Sequence, residues 1–179
     1  MRKPRASERS GAVGGHPVSG VAVRRQLRDG DVDAMARFHT ERYAAEFGLD
    51  ERFAESVHSS IEAHVQAGWT RDSGAVWLID GDPLGGSLAL TDEGHGLGQV
   101  RWFLLAPELR GRGLGRSLIA ELIAEAQTSG FDGLELATFS ALTTAARIYR
   151  DAGFRLRSAE ETDMWGPPIV LQRYELALH

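Results

Sequence analysis

The 179-residue sequence contains no cysteine, which removes disulfides, thiolate metal ligands and a cysteine nucleophile together. No apolar run approaches the roughly 18 residues that span a bilayer, and no apolar stretch near the start resembles a secretory signal. A cytoplasmic location with no membrane partner is therefore the expectation. Residues 1–20 carry Arg2, Lys3, Arg5 and Arg9 against Glu8, so of the total charge of −5 the remaining residues hold −8. An acidic body of this kind lacks the clustered basic face that nucleic acid requires. Lysine is nearly missing, since Lys3 is the only one among 20 basic residues. Metal-ligand patterns are missing too: His58 and His64 lie six apart, off one helical turn, and no His-Glu-x-x-His run occurs. No Gly-x-Ser-x-Gly elbow is present.

What is there is an ordinary globular composition, 42% apolar and 25% charged, in a chain long enough to bury a core without covalent staples. Residues 1–20, rich in Gly, Ser, Pro and Arg and without apolar periodicity, read as a disordered tail. Residues 21–179 read as one domain. A strand is expected at Val21–Leu27, a helix from the Asp29-Gly30-Asp31 cap to Phe47, and a second at Glu51–Ala67, where Phe53, Val57, Ile61 and Val65 share a face. Ala75–Ile79, Leu84–Thr91 and Gln99–Leu105 read as an antiparallel meander, with Asp80-Gly81-Asp82-Pro83 as its first turn. The stripe Leu114, Leu118, Ile119, Leu122, Ile123 and Ala126 marks a helix ending near Gly130. Strand Leu134–Ser140, helix Leu142–Ala152, a strand from Phe154 and a last strand at Ile169–Leu178 complete the chain.

Between the meander and the Leu114 helix lies Arg110-Gly111-Arg112-Gly113-Leu114-Gly115-Arg116. Glycines let backbone approach a ligand, amides at a helix start point N–H groups at negative charge, and arginines pair with phosphate oxygens. The segment is thus a candidate anion site; a turn that only connects strand to helix is the plain alternative. A Walker A loop fails because the only lysine is Lys3, and a dinucleotide fingerprint fails because Arg116 stands where a third small residue is needed.

This segment resembles motif A of the GCN5-related N-acetyltransferases (GNAT), Gln/Arg-x-x-Gly-x-Gly/Ala, matched by Arg110, Gly113 and Gly115. A second motif of that superfamily, alanine, then tyrosine four residues on, then Gly-Phe, is matched by Ala145, Tyr149, Gly153 and Phe154. The resemblance covers roughly residues 21–178. Within it, Arg101-Trp102-Phe103-Leu104 and Thr138-Phe139-Ser140-Ala141-Leu142 look most like the acetyltransferase half of bacterial MarR–acetyltransferase fusions, without the DNA-binding half. The resemblance implies an α/β/α sandwich with a mixed, mostly antiparallel sheet of about seven strands. It also implies an acetyl-CoA site, in which the amides of Arg110, Gly111, Arg112, Gly113, Leu114, Gly115 and Arg116 hold the pyrophosphate. Backbone at Phe103, Leu104 and Leu105 would line the pantetheine arm, where that strand splays from the one beginning near Leu134. Leu142 departs from an asparagine that many members place there, which removes one pantetheine contact.

Such an enzyme transfers acetyl directly to an amine without a covalent enzyme intermediate. A lysine-like amine with pKa near 10.4 is less than about one part in 10³ neutral at pH 7, whereas an α-amine near 7.8 is about one part in seven neutral. Tyr149 matches the tyrosine that protonates the departing thiolate, although it also continues the apolar stripe of Ala145, Ile148 and Ala152. At the position where histone-acetylating members carry a base glutamate stands Gln99, which cannot take a proton; that leaves a water chain or a residue on the first helices, such as His39, Glu41 or Glu46, while Glu135 in the Leu134–Ser140 strand reads as structural. Trp69, Trp77, Trp102 and Trp165 are scattered and fall to packing or to the rim of an acceptor cleft. The expected partner is a small-molecule amine, with no metal, and a homodimer is left open. The rival reading is a non-catalytic acyl-CoA-sensing module of the same fold.

Overall fold

The computed structural model describes residues 16–69 and 74–178. In chain order these form β1 (His16–Val18), β2 (Val21–Val23), α1 (Asp31–Phe47), α2 (Glu51–Gln66), β3 (Ala75–Ile79), β4 (Gly86–Asp92), β5 (Leu97–Leu105), α3 (Leu114–Thr128), β6 (Gly133–Phe139), α4 (Thr143–Asp151), β7 (Arg155–Thr162) and β8 (Ile169–Ala177). A 3₁₀ turn at Pro107–Leu109 precedes α3. Six strands make one sheet in the order β3-β4-β5-β6-β8-β7, and β1 and β2 make a two-stranded one. Among the described strands, only the β5–β6 pair is parallel. The mixed, mostly antiparallel sandwich read from the sequence is therefore correct.

Two expectations need correction. Residues 16–20, read as tail, form β1 and the turn into β2, with Val18 buried; the rest of the tail, 1–15, lies outside the described residues. The first strand, expected to run to Leu27, ends at Val23. Its successor Arg24 bridges to Leu78 by backbone and then turns its guanidinium between Asp31 (2.6 Å) and Asp80 (2.7 Å). Asp31 also accepts the Arg28 N–H at 2.6 Å, so these charges bend the chain into α1. That bridge caps the β3 edge at Leu78, and all five β3 residues are buried because Ala75, Trp77 and Ile79 pack into one core and Val76 and Leu78 into the other. At the opposite edge β7 stays exposed along its length.

The sheet separates two cores. On one face α3 and α4 pack Leu114, Leu118, Ile119, Leu122 and Tyr149 against Leu88, Leu90, Val100, Leu134 and Tyr174. On the other, α1 and α2 pack Met35, Phe38, Tyr43, Phe53, Val57 and Ile61 against Val76, Leu78, Ala89 and Leu104. α2 follows its predicted face, with an Asp50 side chain that caps the Arg52 N–H at 3.0 Å. α1 is less regular, because it brings a histidine into the core: His39 is 3% exposed and its Nε2 lies 2.9 Å from Ser87 Oγ and 3.2 Å from the Trp102 carbonyl. Burial lowers the His39 pKa to about 4, against a smaller opposing effect of the Trp102 carbonyl.

A histidine held neutral makes stability depend on pH in a defined direction. Below about 6.5 the unfolded chain takes up a proton that the folded chain refuses until about pH 4, so stability falls as pH drops through that window. The full loss is on the order of 3 kcal/mol. We expect urea denaturation of the parent to weaken between pH 7 and pH 4 by that much more than denaturation of His39→Gln. Parallel curves for the two proteins would show that His39 does not titrate in this way.

Candidate functional site

The site begins where two strands part. β5 and β6 pair only at Leu97–Gly133, Gly98–Leu134 and Gln99–Glu135. β5 then continues to Leu105 paired with β4, while β6 keeps to β8 through Phe139. From Val100 onward the inner edges of β5 and β6 diverge. β5 is further distorted because its ladder with β4 shifts register between Ser87 and Ala89, and Trp102 takes a φ of 46°. Phe103, Leu104 and Leu105 lie on the parted stretch. Their side chains alternate: Phe103 and Leu105 pack into the α3–α4 core and Leu104 into the α1–α2 core.

Directly after β5 the chain makes the glycine loop. Gly111 (φ 77°) and Gly113 (φ 79°) are in the left-handed region that favours glycine, and a Cβ built on either would meet nothing within 4 Å. The outer side of the loop is therefore open to an approaching ligand. Gly115 has the opposite reason for being glycine. A Cβ there would lie 3.0 Å from Ile148 Cδ1 and 3.3 Å from Phe103 Cζ, so its absence lets the start of α3 close onto β5 and α4. The first backbone bond recorded into α3 runs from Ser117 N–H to the Gly113 carbonyl. Helix geometry consequently leaves the N–H groups of Leu114, Gly115 and Arg116 without an acceptor one turn back. These N–H groups and the helix dipole favour an anion at the open end.

The three arginines of the loop are used differently from one another. Arg110 donates from Nε to the Leu105 carbonyl (2.8 Å) and pairs through Nη2 with Glu46 of α1 (3.2 Å). Arg116 pairs with Asp151 at the end of α4 (2.7 Å). Arg112 is exposed and, among the described residues, makes no ion pair. Two of the three predicted phosphate partners thus tie the loop to α1 and α4, and Arg112 is the cation left facing outward.

Tyr149 sits on α4 and is 5% exposed. Its ring meets Phe103 (6.2 Å between centroids), Phe154 (5.9 Å) and Tyr174 (6.2 Å), so the two motifs converge at the Phe103–Gly115–Tyr149 junction. Burial pushes its hydroxyl well above the ordinary tyrosine range, with the nearby Tyr43 adding to the effect. A phenol in this setting keeps its proton at neutral pH. Leu142, at the N-cap of α4, makes no side-chain cap bond.

The base candidates are not gathered in one place. His39 has its Nε2 engaged inside the core; Glu46 is held by Arg110; Glu41 is exposed on α1 beside Phe38, Arg42, Ala45 and Pro83. Glu135 lies in the ladder between Gln99 and Glu175. The Gln99 side-chain oxygen is buried and, among the described residues, has no hydrogen-bond partner.

Sequence reasoning missed two features. One is an aromatic cluster in which Tyr43, Phe53 and Trp165 surround Phe139 at the end of β6, with ring centroids 5.6, 6.2 and 5.7 Å away. The helical spacing of Tyr43 and Phe47 could have signalled it. The other is the His39–Ser87–Trp102 group, which no local motif announces. A separate cavity of about 390 Å³ opens between α1 and α2, lined by residues such as Arg37, Glu51, Glu55 and His58. It touches none of the residues of the loop or the parted strands.

Comparison with known proteins agrees with this geometry. The model of the acetyltransferase (GNAT) family matches residues 35–154. A Salmonella typhimurium protein described as an acetyltransferase, solved with its cofactor acetyl-CoA, shares the fold with TM-score 0.64 and 18% identity, covering 88% of this chain and 94% of the other. The ribosomal-protein-alanine N-acetyltransferase of Brucella melitensis gives TM-score 0.66 at 17% identity, over 88% and 100% of the two chains. The spermidine N-acetyltransferase of Vibrio cholerae, solved as a point mutant, gives 0.62 at 17% identity, over 88% and 95%. No curated protein sequence matches. With motif, parted strands and family model all falling on the same residues, the chain belongs to the GNAT family of acetyltransferases.

Proposed function

We propose that this protein is an acetyl-CoA-dependent N-acetyltransferase acting on a small amine. The observation that carries the reading is the parting of β5 and β6 after Gln99, immediately beside the glycine-led start of α3. The residues present fit the group: the open side of Gly111 and Gly113 leaves room for a pyrophosphate, the amides of Leu114, Gly115 and Arg116 would donate to it, and Arg112 would add charge. Backbone at Phe103, Leu104 and Leu105 would run beside the pantetheine arm. Bound acetyl-CoA supplies an activated thioester, whose C–S bond breaks as the acceptor nitrogen forms the new C–N bond. The nitrogen loses a proton and the sulfur gains one. Tyr149 is the donor in this reading. Because its pKa lies above that of a thiol near 8.5, it serves by sharing its proton with the sulfur as negative charge gathers there, more than by acting as a strong acid.

Acceptor class follows from the proton balance. Gln99 cannot accept a proton, and neither the His39 Nε2 nor Glu46 is free to do so. This favours an acceptor whose amine has a low pKa and arrives neutral. The stretches Arg101-Trp102-Phe103-Leu104 and Thr138–Leu142 support a likeness to the acetyltransferase half of MarR–acetyltransferase fusions. The same Gln99 supports a second reading, a module that binds acyl-CoA without turnover. Saturable binding with no CoA released across a panel of amines would favour it.

Calorimetric titration tests the cofactor site. The parent is expected to bind acetyl-CoA with micromolar affinity, Gly113→Ala to keep most of it, and Gly113→Glu to lose it. Both substitutions carry the same left-handed strain of about 1 kcal/mol, so the contrast isolates the longer, negatively charged side chain from the backbone effect. Arg112→Glu is expected to weaken binding about tenfold, worth roughly 1.4 kcal/mol. A parent that binds no acetyl-CoA returns the glycine loop to a connecting turn.

Steady-state kinetics test Tyr149. Tyr149→Phe is expected to slow kcat by roughly 10²-fold while leaving the Kd for acetyl-CoA within about twofold. Unaltered kcat would assign Tyr149 to the core alone.

A further inference from the structure

The bulge in β5 is held in place by two buried side chains. Trp102, with φ 46°, adopts a backbone conformation that is strained for a non-glycine residue and persists only where the surroundings over-determine it. Its carbonyl accepts a hydrogen bond from Ser87 Oγ at 2.7 Å. His39 Nε2 lies 2.9 Å from that hydroxyl and 3.2 Å from the same carbonyl. Ser87 is 1% exposed and His39 3%. The serine has one proton and gives it to the carbonyl, so the contact with Ser87 Oγ needs the imidazole to be the donor. His39 is therefore the neutral tautomer protonated at Nε2.

The Trp102–Phe103 peptide is trans; the cis bond among the described residues is Asp82–Pro83. A trans peptide sets its C=O and N–H on opposite sides. With the carbonyl tied to Ser87 and to α1 through His39, the Phe103 N–H is directed away from α1. The Phe103 ring lies on that other side, against Tyr149. The stretch in question is the part of β5 that has left β6.

We propose that His39 and Ser87 are positioning residues for the transfer. Together they fix the Trp102 carbonyl so that the Phe103 N–H is held ready to donate to the acyl carbonyl oxygen of the thioester in the gap. This rests on the acetyltransferase reading. Neither side chain meets the reacting atoms. Their contribution is to keep one backbone donor from swinging, and a donor that need not reorient stabilises developing charge far better than a mobile one.

The test uses the full chain with [1-13C]acetyl-CoA, reading the ¹³C shift of the bound thioester carbonyl and the calorimetric Kd on the same samples. The parent carbonyl is expected to move downfield on binding. Ser87→Ala and His39→Leu should each lose roughly half or more of that movement, and about tenfold in kcat where an acceptor is in hand, with Kd within about twofold. His39→Gln, whose amide can still donate, should recover most of it. The double variant Ser87→Ala/His39→Leu should lose no more than the worse single one, because both act on one peptide. Should His39→Leu fail to fold, Ser87→Ala, which removes a single buried oxygen, decides. A carbonyl shift unchanged in the folded variants, or absent from the parent complex, overturns the clamp alone. So does a Kd that weakens in step with the shift. A parent that binds no acetyl-CoA overturns the acetyltransferase reading, and the clamp with it.

Discussion

A parallel ladder that stops after three residue pairs governs this molecule. β5 is committed to β4 as far as Leu105, and β6 is committed to β8 as far as Phe139, so neither strand can close on the other. Each antiparallel partner draws its strand away, and the Trp102 bulge bends β5 further. The inner backbone groups that result are not paired strand to strand, a condition that buried backbone rarely tolerates without another partner. Packing at the ends keeps the strands apart. Phe139 is braced by Tyr43, Phe53 and Trp165, and the Asp50 N–H donates to the Trp165 carbonyl at 3.0 Å. That bond joins the α1–α2 turn to the loop between β7 and β8.

The electrostatics of the α3 terminus follow from the same arrangement. An arginine-rich loop in the sequence suggests a strongly cationic site, yet Arg110 and Arg116 each face a carboxylate from another helix. Ion pairs this exposed contribute little stability. Their geometric effect is greater: Arg110 joins β5 to α1 by bonding both the Leu105 carbonyl and Glu46, and Arg116 joins α3 to α4. Anion attraction then rests chiefly on the helix-start amides and on Arg112. Such a site selects by shape, because amides in fixed positions reward an anion that fits between Gly111 and α3.

Most of the architecture was legible because it is written locally. The β3 boundaries were read to the residue, and α2, α3 and β8 to within one or two, since their apolar periods end at a glycine, a turn cluster or a proline pair. The glycine loop was legible for the same reason, although only the structure separates Gly111 and Gly113, which serve backbone conformation, from Gly115, which serves close packing. Long-range charge was not legible. Nothing near Val23 announces that Arg24 will meet Asp31 and Asp80 and end the strand, and nothing near Arg110 names Glu46. The bulge at Trp102 was equally silent, because neither glycine nor proline marks it. It exists through contacts from Ser87 and His39, 15 and 63 positions away in sequence.

The two faces of the parted strands divide the chemistry between them. On the α3–α4 face, Tyr149 is surrounded by Phe103, Phe154 and Tyr174, so its proton is held tightly and becomes useful only when negative charge forms beside it. On the α1–α2 face the polar groups are already committed: His39 to Ser87 and Trp102, Glu46 to Arg110. For the proposed acetyl transfer, this arrangement favours stabilising charge on sulfur and on the acyl oxygen over stripping a proton from nitrogen. At pH 7 an α-amine of pKa about 7.8 offers a neutral fraction several hundred times that of an amine near 10.4. In the proposed transfer that difference passes into rate, which is why the reading favours acceptors whose amines have a low pKa.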